Sequence, residues 1–180
     1  WKLTGNAGTN TTSNFMGTTD NNGLRFRTRN IDRFEITDGT ASTGGRLRAF
    51  TDGTAASPIY SWNSNSGTGI FQQAANVLGF STSGTERFRI PNANQVHATS
   101  NGSAALPFYS WSSDTDIGMY RITTNTLGLS TTGTERMRFL ANGQVSINNT
   151  SPVAGDRFTV SGAANEFVIN GYSSGSAGVG

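Results

Sequence analysis

Val77-Leu78-Gly79-Phe80-Ser81-Thr82-Ser83-Gly84-Thr85-Glu86-Arg87-Phe88-Arg89-Ile90 decides the fold of this chain, because it sets two alternating runs of residues around a turn that contains Gly. Alternation places successive side chains on opposite faces of a strand, and two such runs around a tight turn read as a β-hairpin. The pattern returns from Thr126 to Phe139, and in degenerate form from Leu24 to Ile36, where Asn30 stands in the place of Gly84 and Gly133. Asn is the residue next most tolerant of left-handed backbone, so that exchange supports the turn. A three-residue loop ending on a left-handed residue pairs Ser81 with Thr85, Phe80 with Glu86 and Leu78 with Phe88. The later copy then pairs Ser130 with Thr134 and Leu127 with Met137. A two-residue loop would set Leu78 against Arg89, so apolar pairing favours the longer loop. Positive φ is expected at Asn30, Gly84 and Gly133, with Leu78–Phe88 and Leu127–Met137 as buried facing pairs.

Outward from the hairpin, Pro58, Tyr60, Trp62, Gly69, Leu78, Gly79, Gly84, Glu86, Arg87, Arg89 and Val96 all recur 49 residues later. A repeat of this length is one supersecondary unit that stacks on neighbours or on other chains. The boundaries read as residues 1–51 for a degenerate first repeat, 52–100 for the second, 101–149 for the third and 150–180 for the start of a further segment. The first repeat carries five additional residues, placed within 37–45 as an enlarged loop. Ser57-Pro58-Ile59-Tyr60-Ser61-Trp62 and Leu106-Pro107-Phe108-Tyr109-Ser110-Trp111 read as short strands opened by Pro. Asn142-Gly143 reads as a two-residue turn, 112–116 as a connecting segment, and Asn94, Asn148-Asn149 and 162–165 as turns. The Gly/Ser-rich stretch 171–180 reads as a loop. No useful run has helical periodicity, so the fold class is all-β, a repetitive array of hairpins.

Composition bounds the core. Thr, Gly, Ser and Asn supply 86 of the 180 residues, while Leu, Ile, Val and Phe supply 35, just under the one-fifth level at which disorder becomes a concern. Disorder also wants high net charge, and here the net charge is +2 with 11 Phe, 4 Tyr and 3 Trp available for burial. An ordered chain with a thin core completes it against partner chains. The absence of cysteine removes thiol chemistry and disulfides but leaves the compartment open. No apolar run approaches the roughly 18 residues of a membrane span, so membrane insertion is not expected. The opening Trp1 reads as the start of an excerpt from a longer protein.

Twelve of the thirteen basic residues are Arg, and they alternate with apolar residues, as in Leu24-Arg25-Phe26-Arg27. Dispersed arginines paired with Glu86 and Glu135 on one sheet face fit better than a phosphate-binding stripe, so nucleic acid is not an expected partner. Glycan hydrolysis needs two carboxylates held in a cleft. Glu35, Glu86 and Glu135 sit inside the hairpin motif, where they read as arginine partners. Asp114 and Asp116 replace Asn65 and Gly67 of the preceding copy and read as a turn pair. His97, the single histidine, is replaced by Ser146 in the next copy, which disfavours a metal site. Trp62, Trp111, Tyr60 and Tyr109 suit either stacking on sugar rings or packing between chains, and recurrence at the repeat step favours packing. The reading has no catalytic, cofactor or metal residue, no cofactor, and no assigned receptor-binding residue.

Several strings resemble bacteriophage tail-fibre repeats: Trp1-Lys2-Leu3-Thr4-Gly5-Asn6-Ala7-Gly8-Thr9, Asn14-Phe15-Met16-Gly17-Thr18-Thr19-Asp20, Leu24-Arg25-Phe26-Arg27, the recurring Gly-Thr-Glu-Arg, and Gly143-Gln144-Val145-Ser146-Ile147 before Thr150-Ser151-Pro152. The family usually continues Val-Gly-Ile-Gly where this chain has Val145-Ser146-Ile147-Asn148. The resemblance implies an elongated, intertwined homotrimer on the virion that attaches to the host, with other tail or baseplate proteins and a host-surface glycan or protein as partners. A bacterial extracellular adhesin or the fibre of a contractile injection system is the alternative. An enzymatic tailspike lacks its carboxylates.

Overall fold

A computed structural model of the protein describes residues 5, 7–10, 12–39 and 44–162. The first four residues of the opening string, positions 40–43 of the enlarged loop, most of the turn expected at 162–165 and the stretch 171–180 lie outside the described residues. The described residues form strands and no helix. β1 (Leu24–Thr28), β2 (Ile31–Ile36) and β3 (Leu47–Ala49) make the first sheet. β4 (Tyr60–Trp62), β5 (Asn65–Ala74), β6 (Val77–Thr82), β7 (Thr85–Ile90) and β8 (His97–Ala98) make the second. β9 (Tyr109–Trp111), β10 (Asp114–Thr123), β11 (Thr126–Thr131), β12 (Thr134–Phe139), β13 (Val145–Ile147) and β14 (Phe158–Val160) make the third. Each sheet is a meander in chain order, and only β13–β14 is parallel. The chain divides into two compact units, Trp1–His97 and Ala98–Gly180.

The hairpin turn is shorter than its sequence indicates. Thr82 pairs with Thr85 and Ser81 with Glu86, leaving a two-residue loop of Ser83 and Gly84. Both loop residues are left-handed, at φ 50 and 75, and the same holds for Thr132 with Gly133 (53 and 65) and Arg29 with Asn30 (52 and 59). Positive φ at Asn30, Gly84 and Gly133 is as expected. Two consecutive left-handed residues make the turn whose twist matches that of the strands it joins. The register then shifts by one residue at a bulge formed by Arg87, so Phe80 faces Phe88 and Leu78 faces Ile90. The third sheet repeats this with Leu129 facing Met137 and Leu127 facing Phe139. The expected Leu78–Phe88 and Leu127–Met137 pairs do not form. A bulge restores apolar pairing after a short loop, an alternative that loop counting without bulges cannot see.

The loop of three residues occurs elsewhere. Around Asn142-Gly143, Leu140 N donates to Gln144 O at 2.9 Å and Gly143 N to Leu140 O at 3.0 Å, so Ala141, Asn142 and Gly143 form the turn in place of the expected two. Ten residues separate Ile36 from its partner Leu47 in the first sheet, against five between Phe139 and Val145 in the third. The five additional residues therefore belong to the β2–β3 connection.

β5 and β10, the longest strands, escape the alternation reading. The stretch 112–116 is a tight turn at Ser112-Ser113 followed by the start of β10, not a connecting segment, and Asp114 pairs with Trp111. Several unpaired residues lie between the Trp62–Asn65 and Ser61–Gly69 pairs, and again between Trp111–Asp114 and Ser110–Gly118, which scrambles the period of two. Gly69 and Gly118 sit at these crossings. A Cβ on either would lie 1.9 Å from the carbonyl oxygen of Tyr60 or Tyr109, so the strand pairing requires glycine there.

Candidate functional site

In the second and third sheets one face is closed by the chain itself, whereas in the first sheet the corresponding face buries Glu35 between Arg25 and Arg48, which stay half-exposed. In the second sheet the Phe71 ring, 4% exposed, lies flat over Gly79, where a Cβ would come within 2.7 Å of it. Glycine inside a strand marks a close approach of this kind. Tyr120, 7% exposed, takes the same place over Gly128 in the third sheet. The segments preceding β4 and β9 cross behind these rings: Gln72 N donates to Asp52 O at 2.8 Å and Arg121 N to Asn101 O at 2.9 Å. Burying one such ring stabilises by about 1.5–3 kcal/mol relative to leaving it in water.

Charged residues on this face are paired. Glu135 accepts Arg138 Nε at 2.5 Å and Nη2 at 2.8 Å, and it accepts the Tyr120 hydroxyl at 2.8 Å. In the second sheet Arg89 Nη2 donates to Glu86 Oε2 at 2.5 Å, and Phe71 has no hydroxyl to match that of Tyr120. The first sheet uses a different solution. Arg25 stands where the others have Gly79 and Gly128, and Glu35 where they have Arg89 and Arg138. No ring is needed, because registers Arg25–Glu35 and Glu35–Arg48 line up an ion ladder across three strands. Arg48 and Arg25 hold the buried Glu35 carboxyl below the usual range, and Arg27 does the same for Asp32. Glu35, Glu86 and Glu135 are thus arginine partners, as their place in the motif indicates.

Burial pushes the Tyr120 phenol up to about 12, with the Glu135 hydrogen bond adding to the shift. The folded state favours the neutral phenol, so this contribution is complete below the ordinary tyrosine value near 10 and is lost as pH rises through about 12. Between those limits the protein is expected to lose about 2–3 kcal/mol that Tyr120→Phe does not lose. Urea titrations of both proteins at about pH 9 and about pH 12 measure the difference.

The other sheet face is apolar and uncovered. Its central pairs are Phe26–Phe34 in the first sheet, Phe80–Phe88 in the second and Leu129–Met137 in the third. Leu78 is 42%, Ile90 41% and Phe139 41% exposed on this face, and Trp62 and Trp111 are 62% and 63% exposed at its edge. Phe80 and Phe88 stack at 4.4 Å between ring centroids. In the third sheet the less bulky Leu129 and Met137 take their place. There a groove of about 560 Å³ opens, lined by Tyr109, Trp111, Met119 and Leu129. Phe34 of the first sheet meets Tyr60 of the second at 5.9 Å, so the two apolar faces touch at that point.

The remaining candidates do not line this groove. Asp114 and Asp116 belong to β10 and not to a turn. The hydrogen bond that protonated Asp116 donates to Asp114 raises the Asp116 carboxyl above its ordinary value, with desolvation adding to the shift. His97 lies on β8 with Nε2 2.9 Å from Gln95 Oε1. In the third sheet β14 covers the equivalent edge and buries Gln144 and Ser146. Among the described residues no group of three or more His, Asp or Glu is placed to hold a metal ion. Sequence reading missed the Phe71 and Tyr120 rings, although Gly79 and Gly128 within a strand pattern are the signal for them. Comparison of the chain with protein-family models, curated proteins and solved structures finds no match to any of them.

Proposed function

We propose that this chain is a structural and adhesive segment of a bacteriophage tail fibre, an elongated, intertwined homotrimer that helps attach the virion to its host without catalysis. The observation that carries the reading is the apolar face that recurs in all three sheets, opposite a face closed by a buried ring in the second and third. Such a face is what further chains in a fibre would cover. The order and spacing of the tail-fibre-like strings supply the viral context. Other tail or baseplate proteins are its neighbours, and connecting loops spaced along a stiff β-scaffold are the parts that meet a host glycan or protein, where many weak contacts add up in avidity.

Light scattering on the folded protein is expected to give three times the chain mass of 19.0 kDa. A folded monomer overturns the reading. Gold-labelled antibody against the segment is expected to decorate tail fibres of intact particles, and release of oligosaccharide from host envelope polysaccharide by the purified protein would restore the enzymatic alternative.

A further inference from the structure

We infer that the surface joining the copies is the apolar face through Phe26–Phe34, Phe80–Phe88 and Leu129–Met137, and that its occupant is further copies of this chain. The inference rests on the fibre reading for the presence of several copies and adds which surface they share. The central pairs of the face carry no charge, whereas Arg25, Arg89 and Arg138 are held in ion pairs with Glu35, Glu86 and Glu135 on the opposite face. Depletion of charge at the centre is the mark of an interface core. Size points the same way. While Phe34, Phe80, Phe88, Leu129 and Met137 at its centre are half-buried, its outer apolar side chains, among them Phe26, Tyr60, Trp62, Leu78, Ile90, Tyr109, Trp111 and Phe139, are between 38% and 63% exposed. At roughly 150–250 Å² for a whole aromatic side chain they present on the order of 1,000 Å² per chain. A specific interface needs roughly 800 Å² per partner, a size that the exposed apolar area of the three sheets reaches when added up sheet by sheet.

A like partner fits better than an unlike one, because the apolar face recurs in three successive sheets together with the repeat. An interface built by repetition pairs with another copy built by the same repetition. In the third sheet the groove beside Leu129 is the place where a bulky side chain of the neighbouring copy seats, since Leu129 stands there in place of Phe80, whose ring stacks on Phe88 in the second.

The absence of cysteine makes the test direct. Single variants Ile90→Cys and Phe139→Cys place a thiol on the apolar face, and Ala56→Cys and Ala105→Cys place one on the exposed segments that back the opposite face. With a water-soluble maleimide, the native Ala56→Cys and Ala105→Cys proteins are expected to label fully. Ile90→Cys and Phe139→Cys should stay unlabelled until the protein is denatured. Labelling of all four at one rate overturns the assignment. A variant that loses its β-sheet circular dichroism is replaced by Leu78→Cys or Tyr109→Cys on the same face. Light scattering on the same samples separates the two readings. Protection with a mass of two, four or more chains sinks the trimer and keeps the surface, three chains with a labelled apolar face sinks the surface and keeps the trimer, and a monomer, labelled or protected, sinks both.

Discussion

Phe71→Ala is expected to lower stability by about 3–5 kcal/mol, the largest loss from any single truncation in the second repeat. Phe71 is 4% exposed, and it is the only large apolar side chain of that sheet wholly enclosed by its own unit. Its ring lies over Gly79, and a Cβ on Gly53 would come within 3.3 Å of its own Cβ, so the cavity left by alanine has glycine and backbone for walls. Such walls have few side chains able to rotate inward, and the residual void then adds to the lost transfer free energy. Denaturant unfolding followed by circular dichroism measures the loss. Phe71→Tyr serves as the control, since the equivalent site of the next repeat already holds Tyr120. A loss below about 1 kcal/mol would mean that the ring is not the pillar of this face.

Gly118→Ala is the second large effect, of about 3 kcal/mol or more, and it acts by overpacking. The added methyl would sit 1.9 Å from the Tyr109 carbonyl oxygen and 3.0 Å from Pro107 Cγ. Backbone cannot rotate away as a side chain can, so β9 must separate from β10. The pairs Ser110–Gly118 and Tyr109–Met119 go with it, and they place Tyr109 and Trp111 at the groove. Under the proposed fibre reading, assembly is expected to weaken together with stability, seen as a loss of the multimeric species on dilution. Alanine at Gly44, where nothing lies within 4 Å of the added methyl, tests whether glycine loss as such is responsible, although its left-handed backbone costs something of its own.

The hairpin, its left-handed turn residues and the arginine–glutamate pairing were legible in the chain, because each rests on neighbours in sequence: alternation, a turn residue with freedom at φ, and charges in one motif. Asn30, Gly84 and Gly133 show this most simply, since backbone sterics at one residue decide their φ. The 49-residue step fixed which residues are equivalent, and through it the correspondence of Phe71 with Tyr120 and of Trp62 with Trp111. Register was another matter. Whether one residue goes into a longer loop or into a bulge at Arg87 depends on how Phe80, Phe88, Leu78 and Ile90 pack across the strands, and that energy is not local.

Tertiary structure also decided what the strands do with their faces. Nothing in the run Asn65 to Ala74 announces a strand, because the break in register near Gly67 and Gly69 destroys its alternation, yet that strand supplies the ring that closes the sheet. The Arg25–Glu35–Arg48 ladder belongs to the same class. Its members come from three strands, and only pairing brings them within reach, in place of the glycine and ring used by the other two sheets. By itself the sequence determined that this protein is a repeated β-structure with too little apolar residue to close both sides of a sheet. Which side takes the buried ring or the ion pairs, and which stays apolar and open, depended on strand register, because a shift of one residue carries every side chain to the opposite face.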